Sequence, residues 1–306
     1  MTQLVLSLIA RPGSVALESA VIARIETMLP AAARGTSRWL AAGEAWEIPL
    51  TCGVHFALDD LAVLVADGIG ADLLGAAPVD INVVPGTRRR KKLLIADMDS
   101  TIIQQECIDE MADVLGLKPQ IAAITERAMR GELPFEDALR ERLGLIAGLK
   151  EQQLAAVYDT RITETPGGRT LLATMRKHGA FTALVSGGFS FFTSRVAAAV
   201  GFDTHRANTL EIVDGAMTGR VLGPILGKEA KLANLEAFAA ERQLDLIDTL
   251  AVGDGANDLA MIGASGLGVA FHAKPVVAAE AQASIVHGDL TALLYLQGYE
   301  RREFAN

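Results

Sequence analysis

The segment Leu93-Leu94-Ile95-Ala96-Asp97-Met98-Asp99-Ser100-Thr101 constrains the fold of this chain more than any other. Four apolar residues entered from a basic stretch have the length and character of a strand buried in a parallel sheet. The run then breaks into two carboxylates separated by one residue. In open α/β sheets, ligands bind beyond the carboxyl ends of the strands, so Asp97 and Asp99 fall where chemistry is done. An isolated Asp-x-Asp is more often a turn in which the carboxylates bond nearby N–H groups. Three later segments reverse that balance: Val185-Ser186-Gly187-Gly188, Lys228-Glu229-Ala230-Lys231 and Val252-Gly253-Asp254-Gly255-Ala256-Asn257-Asp258.

At 306 residues the length suggests two domains and an ample core. A formal net charge of −9 argues against general affinity for nucleic acid or an anionic membrane, though a local site can still hold an anionic ligand. Cys52 and Cys107 are far apart and form no Cys-x-x-Cys, which fits a reducing compartment and neither a disulfide framework nor a zinc site. The apolar start, residues 1–10, lacks a preceding basic segment and is interrupted by Arg11 and Pro12, unlike a secretory signal. No stretch approaches the roughly eighteen apolar residues of a spanning helix. A cytoplasmic protein is expected.

Residues 3–10 read as a strand, 15–29 as a helix, 37–51 as one or two strands, 58–65 as a helix and 80–84 as a strand. This β-α-β-β-α-β order predicts a small ferredoxin-like α+β domain over residues 1–86. It also resembles an ACT-type module, with a regulatory or dimerising role and a possible homodimer through this domain. The basic run Arg88-Arg89-Arg90-Lys91-Lys92 follows Pro85-Gly86-Thr87 and reads as a solvated linker. The second domain is expected over 87–306. Residues 105–163 are helical in pattern, broken near Gly116, 131–134 and Gly148, and form an insertion able to cover the strand ends as a cap. Thereafter helices and strands alternate: a helix after Pro166, strand 181–186, helix 189–200, a hairpin at Asp214-Gly215, helix 228–243, and strands at 249–252, 268–271 and 284–286. The predicted class is α/β, a doubly wound parallel sheet with an inserted helical cap.

The four segments, in this order over roughly residues 90–290, resemble the haloacid-dehalogenase-like phosphohydrolases, and within them the phosphoserine phosphatase branch. A phosphate monoester needs its charge neutralised, an attacking group held in line and a proton for the leaving oxygen. The resemblance makes Asp97 the nucleophile that forms an aspartyl-phosphate, and Asp99 the acid and then the base. It implies Mg2+ held by Asp97, the main-chain carbonyl of Asp99 and Asp254, with Asp258 supporting them from behind; hard oxygen ligands suit that ion. Ser186, Gly187, Lys231 and Asn257 are the implied phosphate-binding group, with Lys228 the local competitor of Lys231. Glycines and a following helix N-terminus suit an anion.

The resemblance further assigns Glu106 to the ammonium and Arg142 to the carboxylate of O-phosphoserine, a small-molecule substrate. An Arg fork suits bidentate carboxylate recognition. Met129 and Phe135 fit the apolar side of the cap or plain core packing equally well. His55, His178, His205, His272 and His287 fall in none of the motifs and read as structural. The implied activity is Mg-dependent hydrolysis of O-phosphoserine to serine and phosphate, the last step of serine biosynthesis. Two alternatives stand beside it: a phosphotransferase from phosphoserine to another alcohol such as homoserine, and a catalytically silent amino-acid-binding regulator.

Overall fold

The apolar run at Leu93 becomes the centre of a seven-stranded sheet in a computed structural model that describes residues 2–305, apart from 15, 54–56, 130 and 131 and the side chain of Met129. The readings for His55 and Met129 lie outside the described residues. Every residue of this strand is fully buried, and alternate side chains enter different cores. That two-sided burial is why the segment is continuously apolar rather than alternating.

The described residues form two sheets. The first contains Thr2–Ala10 (β1), Arg38–Ala41 (β2), Ala45–Cys52 (β3) and Val79–Pro85 (β4), all antiparallel in the order β2-β3-β1-β4. Helix Ser19–Met28 (α1) and helix Leu58–Val63 (α2), continued by a π-helical segment Leu64–Leu74, follow in the expected order. Leu6, Leu8, Trp46 and Ile48 share a core with Ile22, Ile25 and Ile69. The helix expected from residue 15 begins only at Ser19: Glu18 is extended and forms the cap, and Leu17 is buried ahead of the helix.

The second sheet runs β11-β10-β9-β5-β6-β7-β8, comprising Leu93–Ala96 (β5), Phe181–Phe189 (β6), Thr204–Val213 (β7), Ala216–Leu222 (β8), Thr249–Gly253 (β9), Leu267–Phe271 (β10) and Ala283–Ile285 (β11). All neighbours are parallel except β7 and β8, which form the expected hairpin. Its two turn residues, Asp214 and Gly215, have φ of 49° and 72°, the conformation of a tight hairpin turn.

The cap consists of Cys107–Asp113 (α3), Lys118–Met129 (α4), Phe135–Leu145 (α5) and Glu151–Arg161 (α6). It rises on a two-chain stem, in which Gln104 N–H donates to Thr163 O at 2.9 Å and Thr165 N–H to Ile102 O at 2.9 Å. The sheet's helices are Gly168–Lys177 (α7), Ser190–Val200 (α8), Lys228–Glu241 (α9), Leu259–Ala264 (α10), Pro275–Glu280 (α11) and Ala292–Leu296 (α12). Leu94 and Ala96 pack with α7, α8 and α12, while Leu93 and Ile95 pack with α9, α10 and α11, so the sheet is covered on both faces. Pro166 precedes α7 rather than opening it, because Gly167, at φ 83°, makes the entry turn.

The basic run joins the two sheets but is only partly solvated: Arg88, Arg90 and Lys92 are exposed, while Arg89 and Lys91 are packed in. Arg89 bonds Glu47 at 2.7 Å and the carbonyls of Tyr295 and Leu296, Arg88 pairs with Asp245 and Asp248, and Arg90 with Glu303. Lys91 is buried, its Nζ donating to the carbonyls of Ile247 and Gly266. Burial lowers its pKa to about 8. Arg89 ties the first sheet to the second through Glu47, whereas Arg88, Arg90 and Lys92 remain exposed beside their acidic partners, Asp245, Asp248 and Glu303. Val5, Ile9, Leu40, Ala45 and Val84, on the face of the first sheet away from its helices, share a core with the second.

Candidate active site

Three strands, β5, β6 and β9, and helix α9 converge on one cluster of polar side chains. Asp97 follows β5 and turns the chain, its Oδ1 accepting from Met98 N–H at 2.8 Å. Its Oδ2 lies 2.7 Å from Lys231 Nζ and 3.5 Å from Asn257 Nδ2. Lys231 is 1% exposed and also donates to Asp258 Oδ1 at 2.5 Å. Burial would strip this ammonium of its charge, but Asp97 and Asp258 overcome that and raise its pKa above the usual lysine range. Lys228, by contrast, is exposed and sits beside Glu229. The phase of α9, three residues further on, selects Lys231.

Asp97, Asp254 and Asp258 each present a carboxylate oxygen, all within 4.8 Å of one another. This all-oxygen set, carrying three acids against one buried lysine, fits a hard divalent cation. The third acid is the Asp258 carboxylate, whereas the expected contribution of Asp99 is its main-chain carbonyl. Both oxygens of Asp258 are already engaged, Oδ1 by Lys231 and Oδ2 by Gly255 N–H at 3.1 Å. That suits the supporting role expected of it. The approach requires glycine at 253, where a Cβ would come within 2.3 Å of the Asp258 carboxyl.

Asp99 points to the other side of the turn. Its Oδ1 accepts from Cys107 N–H at 2.9 Å and its Oδ2 from Ser186 Oγ at 3.4 Å. Ser100, at φ 54°, turns the chain immediately after Asp99. Burial, then the charges of Glu106 and Asp97, push Asp99 up to about 7; burial and Asp97 raise Asp254 to about 6. Ser186 Oγ in turn accepts from Gly188 N–H at 2.8 Å, and a Cβ on Gly188 would meet Asp99 Oδ2 at 2.8 Å.

These shifts set a pH dependence for the metal-free protein. Both carboxyls hold protons to higher pH in the folded chain than in the unfolded one. The native state therefore binds more protons between about pH 4 and 7, and stability falls as pH rises through that window. In EDTA the protein is expected to melt several degrees higher at pH 5.5 than at pH 8, with added Mg2+ recovering most at pH 8. Equal melting temperatures across that range by scanning calorimetry would contradict this electrostatic picture.

Glu106 and Arg142 come from the cap side. Glu106 accepts from Ser100 Oγ at 2.7 Å, and burial raises its pKa. Arg142, on α5, donates to Ala138 O and Thr125 Oγ1 at 3.3 and 3.4 Å. Burial lowers its pKa, with Asp109 and Glu106 opposing. Phe135, at the start of α5, is 42% exposed, and its ring would lie 3.5 Å from a Cβ on Gly187. It therefore touches the Ser186-Gly187-Gly188 turn from the cap rather than filling a core.

Sequence reasoning missed three contributors. Asn208 on β7 donates to Gly187 O at 2.8 Å and accepts from Leu226 N–H at 2.7 Å, fastening the glycine turn to the approach to α9. Its signal is an amide in the middle of a strand that faces inward. The main-chain N–H of Cys107 orients Asp99. Lys274, whose N–H donates to Asp254 O at 3.3 Å, lowers the pKa values of Glu106 and Asp254 through its charge. None of the described histidines enters the cluster; His205 bonds Thr193, His272 bonds Gly288 O and His178 packs on Tyr299.

Residues 94–263, more than half of the chain, match the family model described as haloacid dehalogenase-like hydrolase. A phosphoserine phosphatase of Streptomyces coelicolor is 45% identical over 230 residues, covering 74% of this chain and 56% of that protein. The chain spans little more than half the length of the first curated relatives, 56% and 52%. Among solved structures, a HAD family hydrolase of Salmonella enterica serovar Typhi superposes over 97% of this chain and 98% of its own, with TM-score 0.82 and 31% identity. A phospho-aspartyl intermediate analogue of phosphoserine phosphatase covers 67% of this chain and 98% of its own, with TM-score 0.63 and 38% identity.

Proposed function

The chain belongs to the haloacid dehalogenase-like hydrolases, and from that premise we propose that it hydrolyses O-phosphoserine to serine and phosphate. The observation that carries the reading is the contrast between two neighbouring carboxyls: Asp97 Oδ2 lies 2.7 Å from the buried Lys231 ammonium, while Asp99, the next acid along, is pushed up to about 7 by burial and by the charges of Glu106 and Asp97. Two neighbouring carboxyls in such different surroundings, one against a lysine and one buried among acids, are suited to the nucleophile and the acid.

In this reading Asp97 Oδ attacks phosphorus and the bond to the seryl oxygen breaks, giving an aspartyl-phosphate. Asp99 gives its proton to the departing seryl oxygen. As a carboxylate it then takes a proton from the water that attacks the phosphorus, releasing phosphate and restoring Asp97. Lys231, Ser186, Asn257 and the N–H groups of the Gly187-Gly188 turn receive the phosphoryl oxygens. Asp97, Asp254 and the carbonyl of Asp99 would hold Mg2+, which when bound neutralises the acidic cluster and the phosphate.

Glu106 and Arg142 read the zwitterionic serine moiety, both partly desolvated beneath the cap. Arg142→Ala is expected to raise KM for phosphoserine about 10- to 100-fold, the worth of a charged hydrogen-bond pair. An alkyl phosphate lacking ammonium and carboxylate should show little change. Equal losses on both substrates would remove Arg142 from substrate recognition. The overall test is a phosphate-release panel of phosphoserine, phosphothreonine and sugar phosphates with Mg2+. A preference for another monoester would reject the substrate.

Residues 1–86 are read as a separate regulatory domain and 87–306 as the catalytic one. Pairing of two copies would use β2, since β4 at the opposite edge lies against β11. Light scattering of the intact protein tests that pairing. Two buried, unpaired cysteines fit a reducing cytoplasm. No helix among the described residues is long and apolar enough to cross a membrane.

A further inference from the structure

We infer that Asp80, in the N-terminal sheet, positions the Asp254 loop of the active site by way of His272. Asp80 is on β4, 4% exposed, and points out of its own sheet toward the chain after β11. Its Oδ1 accepts from Val286 N–H at 2.8 Å and His287 N–H at 3.0 Å, and its Oδ2 from His287 N–H at 3.2 Å and Gly288 N–H at 2.8 Å. Three consecutive main-chain donors thus form an anion-binding nest, filled by a side chain from the other sheet. One residue pair away, Asn82 fixes Ser284 through both its N–H and its carbonyl, at 2.8 and 3.1 Å.

The turn that Asp80 orders continues inward. Gly288 O lies 2.8 Å from His272 Nε2, so that nitrogen carries the hydrogen, and His272 N–H donates to Ile285 O at 2.8 Å. His272 follows β10 and has φ 45°, a left-handed conformation that a residue with a side chain rarely adopts. Such strain persists only where the surroundings over-determine it. Here the surroundings are the two bonds just named and stacking of the imidazole on Phe271, with centroids 4.1 Å apart. The left-handed residue turns the chain so that, two residues later, Lys274 N–H reaches Asp254 O at 3.3 Å. Every link from Asp80 to Asp254 is therefore a hydrogen bond or a short piece of backbone. Without the Asp80 carboxylate, three N–H donors lose their acceptor, Gly288 O shifts, and His272 loses the side-chain bond that helps to hold its costly conformation. The inference rests on the proposed function only for its kinetic consequence.

The test compares the intact protein with Asp80→Ala, His272→Gly, the double variant and Tyr295→Phe. Tyr295→Phe removes a different contact between the sheets, the Tyr295 hydroxyl bond to Glu44 at 2.9 Å, and serves as the control for simple loosening. By peptide-resolved hydrogen exchange, Asp80→Ala is expected to speed exchange in 284–291 and also in 271–275 and 253–258, whereas Tyr295→Phe leaves 253–258 unchanged. On phosphoserine, kcat should fall about five-fold, the lower end of typical coupling between sites, with KM unchanged because Glu106 and Arg142 are untouched. The double variant should be no worse than the worse single one, as expected for residues on one path. Faster exchange confined to 284–291, losses that multiply in the double variant, or the same pattern in Tyr295→Phe would overturn the inference. If Asp80→Ala does not fold, His272→Gly decides alone: faster exchange at 253–258 supports the path and unchanged exchange rejects it. Failure of the unaltered protein to cleave phosphoserine would remove the substrate reading, while the exchange comparison still decides the path.

Discussion

Asp97→Asn is expected to abolish phosphate release from phosphoserine, by at least about 10³-fold, while the protein stays folded. The amide is nearly isosteric with the carboxylate and can still accept from Met98 N–H, so the turn after β5 has no reason to open. Chemically the change is decisive, because a neutral amide oxygen is a poor nucleophile for phosphorus. The electrostatic consequences partly cancel. Lys231 loses one of its two partners, but Asp254 and Asp258 lose a neighbour whose charge raises both their pKa values. A melting temperature within a few degrees of the unaltered protein, with no turnover above background, is the expected pair of results. Retained turnover in a folded Asp97→Asn protein would remove Asp97 as the attacking group.

Lys231→Met should instead damage stability and activity together. The side chain is 1% exposed, and its ammonium faces the carboxylates of both Asp97 and Asp258, at 2.7 and 2.5 Å. Methionine preserves the aliphatic volume and leaves two desolvated acids without their cation. Breaking a buried ion pair from one side costs about 3–5 kcal/mol. The lost electrostatic support for a transferring phosphoryl group is worth a rate factor of at least about 100. The stability deficit should depend on pH in a definite sense. The charge of Lys231 holds the pKa of Asp258 down, so without it Asp258 titrates higher in the folded state, and the deficit is largest at pH 8 and shrinks as the pH falls toward 5 and that acid takes up its proton. Denaturant unfolding of both proteins at pH 5 and pH 8 measures it. A deficit that grew on acidification would mean that Lys231 does not hold these carboxylates.

Much of the catalytic fold was legible because its signals are local. Apolar runs of four or five residues ending in Asp97, Ser186 and Asp254 are buried strands with polar groups at their carboxyl ends, and backbone geometry alone puts those groups on one edge of a parallel sheet. The Asp214-Gly215 turn was readable for the same reason: its conformation depends on two residues and nothing distant. The start of α1 lies beyond the helix-compatible Ala16 and Leu17, since Glu18 is extended and Leu17 is buried ahead of the helix.

The sequence by itself determined which carboxylates would meet at the strand ends, and so the chemistry within reach, because strand burial and turn conformation follow from neighbouring residues. Which distant groups serve those carboxylates was decided only in the folded chain. Lys231 rather than Lys228, Asn208 beneath the glycine turn, and Arg89 of the basic run joined to Glu47 of the first sheet are all choices among chemically equivalent candidates. Composition cannot make those choices: a charge or an amide finds its partner through the relative placement of whole elements, and the cost of leaving it unpaired is incurred only once packing has removed the water.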